Sequence, residues 1–342
     1  MSYLDQPFTL GNMTVKNRIV MPPMCQYAVE AKDGIPNEWH YVHYLSRAVG
    51  GTGLIIIEMT DVEPDGRITD YDLGLWSDEH TPAFARIIEG VKQYGAKVGI
   101  QIAHAGRKAE DAEVPVGPSD IRVDEKFKTP RPLTIDEIQA MVGKFAAATR
   151  RAVAAGVDTI ELHGAHGYLI HQFHSPAINN RDDIYGREPW RFGVEVIRAV
   201  KAEMPAGMPL IIRVSAIEYM EDGYELEHLL GVVQRYKEAG VDAIHVSSGG
   251  EGPVGSKRKP GNYPGYQVGF AREIKQATGL PVIAVGHLDD PKLAESVVAS
   301  GDADLVAVGR AMLRDPYWAY NALRANGVTR KGILPKPYLR GE

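Results

Sequence analysis

One cysteine, Cys25, stands in the 342 residues of the chain. That scarcity excludes internal disulfides and any iron–sulfur cluster, which takes about four thiolates. No stretch approaches the ~18 uninterrupted apolar residues of a membrane-spanning helix. The opening "MSYLDQPFTLGN" also lacks the charged and apolar regions of a secretory signal. The chain is therefore expected in the cytoplasm, away from membranes. A surplus of positive charge is missing too: 38 Lys and Arg face 44 Asp and Glu, a net charge of -6. With both signs mixed along the chain, no footprint for nucleic acid or anionic lipid is present. The one basic cluster, "GSKRKPG" at 255–261, reads as a solvated loop between glycines, with a polyanion site as its alternative. What the chain does have, 44% hydrophobic and 24% charged residues, is enough to bury a full core and carries no signature of disorder.

Short apolar, β-rich runs recur along the sequence: "RIVMPPM" (18–24), "GLIIIEMT" (53–60), "KVGIQIAHAG" (97–106), "DTIELHGAHG" (158–167), "PLIIRVSAIE" (209–218), "AIHVSSGG" (243–250), "PVIAVGHL" (281–288) and "LVAVGRAM" (305–312). Amphipathic segments separate these eight runs. Thr134 followed by Glu137 has capping-box spacing and opens a helix that Gly156 ends. Asp289 and Pro291 are expected to open another. "AAGVDTI", "EAGVDAI" and "ASGDADLV" each close a helix with glycine and launch a strand, a recurrence of βα units. No stretch reads as a linker, so the pattern predicts one α/β domain over 1–342, a (β/α)8 TIM barrel. The rival, a doubly wound sheet, wants G-x-G-x-x-G after its first strand, where "MPPMCQY" stands instead.

In such a barrel the C-terminal ends of the strands share one mouth, where the chemistry is done. The residues expected there are Cys25, Tyr27, Thr60, Gln101, His104, His163, His166, Tyr168, Arg213, Ser247, Ser248, Gly286, Gly309 and Arg310. "AVG" and "AVGR" end the last two runs, each with a helix soon after. Glycines that let backbone N–H groups approach, a helix start and Arg310 suit a phosphate; a tight strand-to-helix turn is the plainer reading. The pair in "HGAHGY" has three readings: metal ligands, structural histidines, or two donors onto one substrate oxygen, with Tyr168 placed to give a proton. The mouth is expected to hold few carboxylates. Its Gln101 and Arg213 suit an electron-rich heterocycle better than a divalent cation, which favours the substrate reading.

Taken together, "KNRIVMPPMCQY", "GRITDYDLGLWSDEH", "GIQIAHAGRK", "IELHGAHGYLIHQFHSP", "IRVSA", "SSGG", "PGYQV" and "ADLVAVGRAMLRDPYW" resemble the Old Yellow Enzyme family of FMN-dependent ene-reductases over nearly the whole chain. The closest likeness is to its bacterial, thermophilic-like class with a redox-sensing cysteine. The resemblance implies a bound FMN, with NADPH or NADH as hydride donor and an activated alkene as acceptor. It implies that Pro23, Met24, Cys25 and Thr60 line the flavin and that Gln101 meets its pyrimidine edge. Arg213 would then sit at its N1–O2 side, and Ser248, Gly249, Gly286, Gly309 and Arg310 would hold its phosphate. His163 and His166 would bind the substrate oxygen, Tyr168 would donate the proton, and Tyr27 would close over the substrate. "PYLRGE" resembles a terminal segment whose arginine, here Arg340, enters a neighbouring subunit's site. That implies a homodimer or homotetramer, with about 330–342 at the interface; a frayed tail is the plainer reading. Two departures stand out. Met59 occupies a position that is small in this class, and "REPWRF" after "NNRDDIYG" replaces a longer loop. Two other functions stay open: an FMN-binding redox sensor acting through Cys25 without ene-reductase turnover, and a metal-dependent barrel hydrolase.

Overall fold

Eight parallel strands close on themselves in the computed structural model, which describes residues 2–252 and 257–341. They are β1 (Ile19–Met21), β2 (Leu54–Asp61), β3 (Lys97–Ala103), β4 (Thr159–Gly164), β5 (Leu210–Ser215), β6 (Ala243–Ser247), β7 (Val282–Val285) and β8 (Leu305–Ala307). Each pairs with the next, and β8 returns to β1 through Val306 opposite Ile19. The expected (β/α)8 barrel is therefore the fold, and each apolar run supplies one strand. Apart from β2, the strands are shorter than the runs. The run 158–167, for example, stops at Gly164, because His166 (φ 58°) and Gly167 (φ 76°) turn into the left-handed region that extended backbone does not use.

Strands buried on both faces read as near-continuous Val, Ile and Leu, and here each face has its own partner. Outward residues such as Ile55, Ile57, Val98 and Ile100 join the main core with the helices. Inward residues Val20, Leu54, Ile56, Ile211, Ala243, Ile283 and Leu305 fill the lower barrel. Leu10, Met13 and Val15 plug its floor from an antiparallel hairpin, Phe8–Leu10 with Met13–Val15, which the apolar pattern did not reveal. Apolar below, the interior turns polar toward the mouth.

Around the barrel run α1 (Glu38–Val49), α2 (Thr81–Lys92), α3 (Ile135–Ala154), α4 (Arg191–Glu203), α5 (Leu226–Ala239), α6 (Val268–Thr278), α7 (Pro291–Ala299) and α8 (Trp318–Ala325). The Thr134 and Glu137 capping box forms as the spacing predicts, with reciprocal bonds of 3.3 and 2.8 Å. At α7 the cap is Asp290 rather than Asp289: with Pro291 at the first helical position, the preceding residue takes the cap, and its Oδ1 accepts from Leu293 N–H at 2.8 Å. Asp289 instead faces Arg314 at 3.2 Å. After β4, Asp183 caps the short helix Ile184–Arg187, and Arg181 ties that loop to the carbonyls of Pro118 and Leu133.

Of the basic cluster, Gly255 and Ser256 lie outside the described residues, while Lys257 and Arg258 pair with Glu225. Among the described residues no helix is long and apolar enough to cross a membrane. A cleft of about 380 Å³ opens among Lys16, Tyr94 and Ile333. It lies at the N-terminal ends of the strands, the end of a barrel that serves stability rather than chemistry.

Candidate active site

The segment after β4 makes a turn, not a helix. His166 adopts a positive φ, and its N–H donates to Ser215 Oγ at 3.0 Å. Gly167 follows because a side chain there would collide with Gly250 O. Tyr168 then caps the short helix Leu169–His174. This turn gathers three rings: His163 lies 5.1 Å from His166 and 4.7 Å from Tyr168 between centroids, edge-on to both. Lys108 braces it from outside, donating to His166 O at 2.8 Å and to Gly250 O.

Protonation follows from these contacts. Ala165 N–H donates to His163 Nδ1 at 3.3 Å, so the neutral ring carries its proton on Nε2. His166 Nε2 lies 2.7 Å from Ser247 Oγ. Burial first, and then the Arg213 charge, hold both histidines well below the usual imidazole range. Burial, then the neighbouring Cys25 and Tyr27, push the Tyr168 phenol well above its ordinary value. The mouth thus holds two neutral imidazoles and a fully protonated phenol. Arg213 is the cation among them: it is buried, burial lowers its pKa, and its Nε has no partner among the described residues.

The expectation of few carboxylates is corrected here. Glu58, Asp61 and Asp72 are all buried near Cys25, and Glu161 lies inside the barrel. Burial pushes Glu58 up to about 8 and Asp72 to about 6. Asp61, with neither oxygen partnered among the described residues, is pushed well up by burial and then by Asp72. Glu58 and Asp61 belong to β2, and Asp72 comes to them from the loop that follows. Burial first, then these acids, raise the Cys25 thiol well above its usual range. Cys25 packs with Met59, Ile68, Ala103 and Tyr168, so Met59 is a core contact beside the site.

Metal ligation was one reading of the histidines, yet His163 and His166 have no acid within the described metal-capable groupings. His171, Glu218 and Glu251 do come within 4.8 Å of one another. His171 has no lone pair to offer, however: Nδ1 accepts from Gly167 N–H at 2.9 Å, which leaves the proton on Nε2, directed to Glu218 at 3.0 Å. Arg107 neutralises Glu251 from 3.5 Å.

At the ends of β7 and β8 a cleft of about 220 Å³ brings together Pro23, Met24, Arg213, Gly286, Gly309 and Arg310. Gly286 has φ 125°, and a Cβ there would stand 2.8 Å from Gln267 Nε2. Arg310 rests against His287 at 2.6 Å, and Ser248 Oγ donates to Gln267 Oε1 at 2.6 Å. Gly249 is turned away, its N–H donating to Ile217 O at 2.7 Å. Thr60 Oγ1 donates to Glu58 O at 2.8 Å, which leaves its methyl rather than its hydroxyl for a ligand. Tyr27, 47% exposed with φ 51°, stands at the rim. His104 points elsewhere, to Glu63 at 2.8 Å. Arg340 is exposed in the turn Lys336–Gly341, and among the described residues nothing brings it to its own chain's site. Glu161, His245 and Lys108 escaped sequence reasoning. Glu161 and His245 had a signal, since each lies two residues before a mouth residue on its strand and so faces inward.

A closed barrel with a phosphate-sized cleft beside a buried arginine and three neutral proton carriers defines a class, the flavin-binding barrel oxidoreductases. The model of the NADH:flavin oxidoreductase / NADH oxidase family matches residues 3–325, and the chain belongs to that family. It is 47% identical to a NADPH dehydrogenase of Listeria monocytogenes serotype 4a (strain HCC23) over 343 residues, covering 99% of each chain. It is 46% identical to a NADPH dehydrogenase of Bacillus subtilis (strain 168), over 99% of this chain and 98% of that one. Among solved structures, morphinone reductase superposes with a TM-score of 0.81 at 25% identity, over 99% of this chain and 92% of that one. The protein is an oxidoreductase with FMN as its cofactor. The residues present fit that group: Arg213 has a buried, unpartnered Nε for an anionic ring edge, and the cradle at Gly286 admits no side chain.

Glu58 yields a prediction about pH. Its folded-state pKa of about 8 lies above the unfolded value near 4.5, so between those limits the folded protein holds the extra proton. Stability should fall as pH rises through that window, by up to roughly 1.4 kcal/mol per unit from this group. Glu58→Gln should flatten the decline of the urea midpoint between pH 5 and pH 8. An unchanged slope would show that Glu58 ionises normally in the fold.

Proposed function

We propose that the chain is an ene-reductase, carried by one observation: the rings of His163, His166 and Tyr168 cluster edge-on at the end of β4 in neutral states fit to donate, with the buried Arg213 charge close enough to act on both histidines. Bound FMN supplies the hydride relay from NADPH, or NADH, to the β-carbon of an α,β-unsaturated carbonyl or nitroalkene. The names of the Listeria and Bacillus relatives, both NADPH dehydrogenases, support NADPH as the donor. His163 offers Nε2–H to the substrate oxygen, and His166 joins it by exchanging Ser247 Oγ for that oxygen. Negative charge grows on this oxygen as the β-carbon is reduced, and two preorganised donors in a dry site lower the barrier by on the order of 3 kcal/mol each. Tyr168, kept protonated by burial, gives its proton to the α-carbon, a base far stronger than phenolate.

Arg213 would face the N1–O2 side of the ring, Gln101 its pyrimidine edge, and Pro23, Met24, Cys25 and Thr60 its surface. Ser248, Gly286, Gly309 and Arg310 form the surroundings of the phosphate, with Gly249 set back by its bond to Ile217 O. Tyr27 closes the rim over the substrate. In a homodimer or homotetramer, Arg340 leaves its own surface for the neighbour's site. A sensor acting through Cys25 is disfavoured, because thiolate is the reactive form and burial, then the surrounding acids, hold the thiol protonated.

Replacing both His163 and His166 with Ala should leave FMN bound and reducible, while slowing cyclohexenone reduction at least about a hundredfold. Native turnover by the double variant would remove the polarising role. Tyr168→Phe should slow oxidation of the reduced enzyme by enone in stopped flow, with reduction by NADPH little changed. Equal enone rates for native and variant would show that the proton comes from elsewhere.

A further inference from the structure

Just below the mouth, four consecutive strands each contribute one buried polar side chain to the barrel interior: Gln101 from β3, Glu161 from β4, Arg213 from β5 and His245 from β6. The parallel register sets Gln101 beside Glu161 and Arg213 beside His245. Glu161 is the hub. Its Oε1 accepts from Gln101 Nε2 at 2.8 Å, and its Oε2 lies 2.8 Å from His245 Nδ1. Nothing in the proposed reaction uses Glu161, yet a fully buried carboxylate is costly to keep without a task or a partner.

A carboxylate only accepts, and that fixes its neighbours. The Gln101 amide must turn its NH2 to Glu161, which leaves Oε1 as the group it can offer a ligand. His245 must carry its proton on Nδ1. Burial works against the Arg213 charge, and Glu161 is the foremost of the groups that sustain it. One acid therefore sets both the polarity of Gln101 and the net charge around Arg213.

We propose that Glu161 is a positioning residue for the flavin, holding Gln101 as a hydrogen-bond acceptor for the ring's N3–H while partly offsetting Arg213 at the N1–O2 side. This rests on the assignment of Gln101 and Arg213 to the flavin made above. Neutralising Glu161 has two separable effects. The Gln101 amide loses its fixed orientation, which weakens binding of FMN in either redox state. Arg213 becomes unopposed, which favours the reduced, anionic state over the oxidised one.

The test is Glu161→Gln, nearly identical in shape. Apoprotein is titrated with oxidised FMN by fluorescence quenching and with reduced FMN anaerobically. The expected result is weaker binding of oxidised FMN and a ratio of oxidised to reduced dissociation constants raised about tenfold, equal to a potential about 30 mV higher for a two-electron couple. A folded variant whose ratio stays within about twofold of the native one overturns the proposal, since a merely structural acid alters melting without altering this ratio. Should Glu161→Gln not fold, Gln101→Leu carries the test from the other side. Both redox states should then bind more weakly with the ratio within about twofold of native, because Glu161 and Arg213 keep their charges; a tenfold change overturns the division of roles. Native protein that fails to bind FMN ends the flavin assignment and this proposal together. Native protein that binds FMN and reduces enone, with an unmoved ratio in the variant, ends only the role of Glu161.

Discussion

One buried positive charge governs the upper half of this barrel. Arg213 is buried with no partner for its Nε among the described residues, and its charge acts on His163, His166 and His245. The same burial that strains the guanidinium keeps His163 and His166 from taking a second proton, and Arg213 adds its repulsion. Neutral imidazoles can donate without bringing a charge of their own, and the tautomer of His163 fixes the direction in which it does so; imidazolium ions would carry their own charge into a site built to stabilise someone else's. Glu161 offsets this charge only in part, and an electron-accepting ring would supply the rest as it becomes anionic.

The fold makes such a charge possible by layering. A hairpin plug and a ring of Val, Ile and Leu seal the floor, so solvent cannot reach the polar layer from below. Above it, the β4 turn is held in a conformation that few non-glycine residues adopt, with Lys108 and Ser215 bonded to its backbone. Rings that must meet a substrate within a fraction of an ångström sit on this braced turn rather than on a free loop. Around Cys25, burial and the nearby Glu58, Asp72 and Asp61 deny the thiol the positive surroundings that would activate it.

Much of this was legible in the sequence because it rests on local pattern. Eight apolar runs gave eight strands, the Thr134 cap formed as spaced, and the rings of His163, His166 and Tyr168 cluster after β4. What stayed hidden depends on closure. The alternation that points His163 inward points Glu161 the same way, but a single acid in an apolar run reads as surface until the sheet curls. Likewise the acids of "EMTD" carry no local mark of burial, whereas the barrel buries Glu58 and Asp61. The Asp289 cap slipped by one residue because two adjacent aspartates precede Pro291, and only their partners tell them apart. The plugging hairpin was missed because strands of three residues carry too little periodicity to see.

The central claim is that burial beside Arg213 keeps both mouth histidines neutral, with His163 protonated on Nε2. Nitrogen-15 NMR of protein labelled at histidine, with His163→Gln and His166→Gln used for assignment, reads this directly. Shifts of a neutral Nε2–H ring for His163, and of a neutral ring for His166, that do not titrate from pH 8 down to pH 5 are the predicted result. Imidazolium shifts for either residue near pH 6.5 would contradict the account.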